Sequence, residues 1–278
     1  MSKKALRLDE IGYWSEVKLD IVRKYASAYS TIMAKQPSIR RHIYIDAFAG
    51  AGQHISKASG DFVPGSPLNA IRITPPFEEL HLIDLDDKRV DELRKLTAGD
   101  KRVTVYPGDC NRVLLRDVFP RCQYGAYHRA LCLLDPYGLS VNWEVLETAG
   151  QMKSVEVFYS FMIMDANMNV FWKDPSKVDP QQAARMDAVW GDDWRAAAYQ
   201  KTRDLFGEVE EKTTNEDVAQ AFRSRLKTVA GFKYVPDPMP MRNSKGAVIY
   251  YLFFASPNKT GADIVNDIFD TYRTRGTN

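Results

Sequence analysis

The sequence is short of three things, and each shortage excludes a class of protein. It has no long hydrophobic run. The two strongest, Val155–Met164 and Ala247–Ala255, reach about half of the ~20 residues that a membrane-spanning helix requires. It has little cysteine, three residues in 278, at Cys110, Cys122 and Cys132 with no CxxC pair. A zinc site draws on closely spaced pairs and a disulfide scaffold on an even count, so buried free thiols are expected and a metal site is not. It has no excess of either charge, with 38 Lys+Arg against 36 Asp+Glu and a net charge of +2. The chain as a whole therefore exerts no pull on nucleic acid, although a local basic face stays open. The amino-terminal stretch MSKKALRLDEIGYW also lacks the apolar core of a secretory signal. A cytoplasmic protein with no membrane contact is expected.

What is present describes a globular chain: 45% hydrophobic and 12% aromatic. The length suits one large domain or two small ones, and the pattern reads as a single domain over 1–278. Trp14, Val17, Ile21, Tyr25, Tyr29 and Ile32 recur at spacings of three and four, which predicts an amphipathic helix over 13–35. Short apolar strands then alternate with helical stretches: His42–Phe48, Leu80–Leu85, Val103–Tyr106, Ala130–Leu134 and Val155–Met162. Strands this apolar, interleaved with helices, predict a parallel sheet covered on both faces. From about 165 to 231 the pattern changes to a largely helical insertion, with Asp179-Pro180 opening one helix and Thr213-Thr214-Asn215-Glu216 resembling a capping box for another. Phe232–Val235 and Val248–Phe254 are expected to pair antiparallel at the sheet edge, joined by a Pro-rich, basic connection.

The chemistry concentrates at strand ends. Tyr44-Ile45-Asp46-Ala47-Phe48-Ala49-Gly50-Ala51-Gly52 runs a buried strand into a small-residue turn, where glycines let a ligand approach the backbone. The third glycine of a dinucleotide fingerprint is missing, since Ile55 stands there, which speaks against NAD or FAD. Asp84 ends the second strand, Gly108-Asp109-Cys110-Asn111 the third, and Asp135-Pro136-Tyr137-Gly138 the fourth. In an open parallel sheet the ligand crevice lies at these carboxyl ends. One such carboxylate serves equally well as a helix N-cap; an acidic or glycine-rich turn on four consecutive strands is harder to assign to folding alone.

This set of turns resembles class I S-adenosylmethionine-dependent methyltransferases. The resemblance implies an α/β, Rossmann-like class I methyltransferase fold: a mostly parallel seven-stranded sheet with helices on both faces, here with a helical insertion. It implies S-adenosylmethionine as cofactor, with Asp46, Gly50 and Gly52 around the methionine part, Asp84 on the ribose, Asp109 at the adenine, and Cys110 in the cofactor-side turn. Phe48 replaces a glycine of the common pattern, as in the DxFxGxG turn of cytosine-C5 DNA methyltransferases. Those enzymes need a nucleophilic cysteine where Tyr137 stands, so cytosine-C5 chemistry is not expected and Cys132 reads as core. Asp135-Pro136-Tyr137 is closer to the D/N/S-P-P-Y/F motif of amino-methyltransferases, with one proline missing and Gly138 following. There the carboxylate and the proline carbonyl hold an exocyclic amine while the aromatic ring stacks on the base, which is mostly a positioning task. The implied catalytic residues are Asp135, Pro136 and Tyr137, acting on a nucleobase in DNA or RNA. The competing reading is a helix-entry turn that only touches cofactor.

A narrower resemblance rests on YIDAFAGAG, GSPLNAI, HLIDLD, GDCN, LLDPYG and FMIMDANMN, which look like the three-Cys-motif partner (TcmP) family, bacterial or phage-borne. It implies a neighbouring three-Cys-motif protein as partner, and with it the alternative of a non-catalytic binding module. His54 lies close to the glycine turn, the stretch Asp165-Ala166-Asn167-Met168-Asn169 either lines the acceptor pocket or caps the next helix, and Trp190 and Trp194 read as core. Arg40-Arg41 and Arg242-Asn243-Ser244-Lys245 are basic loop pairs suited to phosphate or to plain solvation.

Overall fold

The computed structural model of the chain describes residues 10–57, 59–204 and 207–275. Seven strands form the main sheet: β1 (Arg41–Asp46), β2 (Glu79–Asp84), β3 (Val103–Pro107), β4 (His128–Leu134), β5 (Val155–Phe161), β6 (Met239–Arg242) and β7 (Val248–Ala255). Their order is β3-β2-β1-β4-β5-β7-β6. Strands β1 to β5 run parallel, and β7 is antiparallel to both its neighbours. The chain moves outward from β1 to β3, then returns to place β4 on the other side of β1. That reversal opens a crevice at the carboxyl ends of β1 and β4.

Alternation within the strands fills both faces. Ile43, Ile45, Cys132, Leu134, Val157, Tyr159 and Phe161 point into one apolar cluster, and Tyr44, Leu80, Leu82, Leu131, Leu133 and Phe158 into the other. The second face is covered by the helices Tyr13–Ala34 and Lys259–Arg275. Tyr25 of the first packs edge-on against Phe158 at 5.5 Å and Phe254 at 4.7 Å between ring centroids, and its hydroxyl donates to Glu156. Glu156 is a fully buried carboxyl inside a strand that reads as apolar. Burial pushes it up to about 7, against the opposing pull of the Tyr25 and Ser256 hydroxyls. No helix among the described residues is long and apolar enough to cross a membrane.

Two expectations need correction. The antiparallel partner of β7 is Met239–Arg242, whereas Tyr234 makes only a single bridge, to Ser256. Proline had marked this stretch as a connection. Pro240 is tolerated because β6 is the last strand of the sheet, where a missing N–H leaves no partner waiting. The segment from 165 to 231 is also less helical than expected. Besides the helices Ile163–Asn169, Pro180–Trp190 and Arg195–Ala198 it holds an antiparallel hairpin, Tyr199–Asp204 with Gly207–Lys212. Its Lys- and Glu-rich composition favours helix, but pairing sets Lys201 opposite Glu210, an opposite-charge cross-strand pair.

The following helix, Asn215–Thr228, is capped by Thr214, whose hydroxyl accepts from the Asp217 amide at 3.1 Å while the Asp217 carboxylate accepts from the Thr214 amide. The box therefore closes one residue later than the sequence pattern placed it. Phe222 on its inner face stacks on Phe161 at 4.8 Å and meets Trp190 and Phe253, each at 5.3 Å. Trp190 and Trp194 are buried in the same cluster, as expected of core. One ring thus joins the inserted segment to the sheet. Phe222→Ala is expected to cost about 3–5 kcal/mol of folding free energy, measured by urea denaturation with the far-ultraviolet circular dichroism of the folded variant as control.

Candidate functional site

The glycine turn after β1 is built from backbone geometry. Gly50 and Gly52 adopt φ of 62° and 80°, in the left-handed region where a side chain is strained. The turn is tied to the neighbouring strand end: the Gly50 amide donates to Asp84 Oδ2 at 2.8 Å, and the other Asp84 oxygen accepts from the Asp86 amide at 2.9 Å. Gly52 faces Leu93, with room for a methyl only 3.1 Å from it, so this glycine serves packing as well.

Two adjoining cavities open at the carboxyl ends of the strands. One, of about 580 Å³, is lined by Phe48, Asp84, Asp109, Cys110, Tyr137 and Arg185 among others. The other, of about 390 Å³, is lined by Lys18, Gly50, His54, Asp135, Pro136 and Tyr250 among others. Phe48 and Tyr137 border both. Eight of the ten residues singled out from sequence therefore meet around one double cavity. Asp46 and Gly52 line neither: Gly52 belongs to the turn itself, and Asp46 is buried beneath it.

Asp46 is fully buried. Phe48 donates its amide to one carboxylate oxygen at 3.2 Å, and the other, Oδ2, has no hydrogen-bond partner. Burial pushes this carboxyl up to about 7, opposed by the Ser66 hydroxyl and the Phe48 amide and reinforced by the charges of Asp135 and Asp84. Asp109 caps the short helix Cys110–Val113 by accepting from the Arg112 amide. Cys110 is buried, and burial, then the Asp109 charge, pushes its thiol up to about 12. It is a wall of the cavity and no nucleophile at neutral pH. Cys122 and Cys132 are buried free thiols in the core.

Asp135 is held on both oxygens. Ser160 of β5 donates to Oδ1 at 2.7 Å, and the Lys18 ammonium of the amino-terminal helix pairs with Oδ2. Burial works against the Lys18 charge, but the Asp135 carboxylate and the Tyr250 hydroxyl keep that ammonium above the usual lysine range. Lys18 was invisible in the sequence, because a lysine beside the apolar stripe of a helix reads as its solvated flank. Tyr250, Arg89 and Arg185 were missed for related reasons. Arg89 lies over the Tyr137 ring at 5.3 Å and donates to its hydroxyl at 3.0 Å.

Asp165 lines neither cavity and does not cap its helix. It accepts from the Leu139 amide at 2.8 Å and from Arg185 at 2.8 Å, fixing the loop after β4. A side chain at Gly138 would stand 2.6 Å from this carboxylate. The glycine that departs from the amino-methyltransferase motif is thus required by the Asp165 tie. Among the described residues no group of three His, Cys, Asp or Glu side chains is arranged to hold a metal ion.

No protein-family model matches the sequence, and no curated protein matches it. Among solved structures, protein LPL1258 from Legionella pneumophila is similar over 95% of this chain and 92% of its own, with a TM-score of 0.51 at 12% identity. Weaker likenesses include the methyltransferase domain of bacterial CtHen1, with a TM-score of 0.45, 9% identity and 88% and 100% of the two chains covered. A SAM-dependent methyltransferase from Leishmania major gives 0.39, 9%, and 86% and 72%. The strand order, with its one reversed strand next to the edge, decides the architecture. The fold is that of class I methyltransferases. At these identities the likeness extends to the fold and not to a substrate.

In this methyltransferase fold the double cavity occupies the crevice at the topological switch point. The folded chain keeps a proton on Asp46 up to about 7, whereas an unfolded carboxyl gives it up near 3.8. Stability is therefore lost as pH rises from about 4 toward 7. Asp46→Asn is expected to flatten that loss, leaving the contribution of Glu156; thermal melts of both proteins between about pH 5 and 8 measure it.

Proposed function

We propose that this protein is an S-adenosylmethionine-dependent methyltransferase acting on an exocyclic amine of a nucleobase in DNA or RNA. The observation that carries the reading is the pair of cavities meeting at Asp135-Pro136-Tyr137, one bordered by Asp84 and Asp109 and the other by Asp135. The donor set fits such a cofactor. Asp84 and Asp109 offer acceptors for ribose hydroxyls and an adenine amino group, Phe48 and Cys110 offer apolar walls, and the open left-handed turn at Gly50 leaves room for the amino-acid part. When bound, the cofactor supplies an electrophilic methyl group on a sulfonium centre.

The chain's own work is then to bind, orient and exclude water. Asp135, held by Ser160 and Lys18, and the Pro136 carbonyl would accept hydrogen bonds from an amine and aim its lone pair. Tyr137 is two-thirds exposed at 66% and backed by the Arg89 guanidinium, a ring suited to stack on a base without reading its sequence. Arg89 and Arg185 stand at the mouth of the same cavity, Arg185 paired with Asp165, where guanidinium groups could meet a phosphate.

A second reading has a specific observation in its favour. Lys18 occupies the carboxylate that an acceptor amine would use, as expected of a non-catalytic module whose partner is a three-Cys-motif protein. The resemblance of the strand-end motifs to that partner family supports this reading as well. Titration calorimetry with S-adenosylmethionine, followed by transfer of labelled methyl to a panel of DNA and RNA, separates the two. Binding is expected, about tenfold or more weaker in Asp84→Ala, with transfer that Asp135→Ala abolishes. No cofactor binding overturns the first reading; binding without transfer to any nucleic acid favours the second.

A further inference from the structure

A cavity of about 740 Å³ lies apart from the crevice. It opens at the other end of the same strands, where Arg129 and Glu156 are the second residues of β4 and β5, while Asp135 follows the last residue of β4. Seven residues of extended chain put about 20 Å between the two. Its volume lies within the range that takes a small organic ligand.

The lining has a definite chemical character. Lys153 and Lys233 bring ammonium groups with no carboxylate partner among the described residues. The Arg129 guanidinium donates to the carbonyls of Tyr124 and His128 and lies 3.9 Å from the Tyr124 ring centre, so it is held in place with its charge uncompensated. Glu156 is the sole acidic lining residue, and both its oxygens are engaged by the Tyr25 and Ser256 hydroxyls. The Tyr29 hydroxyl is buried at the cavity wall without a hydrogen-bond partner. Ile32, Met33 and Ile39 supply an apolar side. Three cationic groups, one idle buried hydroxyl and an exposed tyrosine ring stacked on arginine form a site for a flat organic body carrying an anionic group.

We propose that this cavity binds a ligand of the nucleoside monophosphate class, with the phosphate at Lys153 and Lys233 and the base against Tyr124 and Tyr29. The two lysines come from the end of the helix Trp143–Met152 and from the segment before β6, which pack together on one face of the sheet, so the anion would tie these two segments to each other. The site is independent of whatever occupies the crevice.

Titration calorimetry of the full chain with AMP tests it, with adenosine and inorganic phosphate as part-ligands. The double variant K153N/K233Q removes both charges; asparagine suits the left-handed backbone at Lys153, where φ is 57°. AMP is expected to bind, with affinity reduced about tenfold or more in the double variant, while the melting temperature and S-adenosylmethionine binding stay unchanged. Adenosine and phosphate are each expected to bind more weakly than AMP. No AMP binding overturns the proposal. So does AMP binding that survives K153N/K233Q, which would put the nucleotide in the crevice, or adenosine binding as tightly as AMP.

Discussion

Burial of both faces of the parallel sheet is the constraint on which the rest of this structure depends. With apolar clusters on either side, strands β1, β2, β4 and β5 can carry few polar groups along their length, so polar chemistry is displaced to their ends. One end became the double cavity around Asp135, and the other the basic cavity around Lys153 and Lys233. Glu156 is a buried carboxyl within a strand, kept there by two hydroxyl partners and a pKa raised to about 7.

Concentrating carboxylates at one end has an electrostatic cost that the fold offsets locally. The charges of Asp84 and Asp135 lie close enough to add to the burial that raises Asp46. Asp84 is satisfied by backbone amides, Asp135 by Lys18 and Ser160, and Asp46 by retaining its proton well above the usual carboxylate range. Three acids in one neighbourhood thus find three different solutions. Lys18 links this arrangement to the amino-terminal helix, which otherwise serves to cover the sheet, so the crevice and helix docking share one ion pair.

Much of this was legible one residue at a time. Local periodicity marked the amino-terminal helix and the five parallel strands, because a helix stripe and a doubly buried strand are properties of contiguous residues. The turns at Gly50, Gly108-Asp109 and Asp135-Pro136 stood out because strand ends carry unusual residue types. Prolines hid β6 and charged residues hid the hairpin Tyr199–Lys212, since composition there argued for the wrong state while pairing with a neighbouring strand decided the outcome.

The sequence by itself determined the α/β alternation, the crevice and most of its lining, since each depends on short stretches of chain. Only the tertiary structure decided that Lys18 sits on Asp135 across 117 residues, that Asp165 ties the loop beside Gly138 instead of facing a substrate, and that Lys153 and Lys233 share a cavity. Those are meetings between distant segments. Nothing in the chemistry of either partner announces them until packing of the sheet and its helices brings the two together.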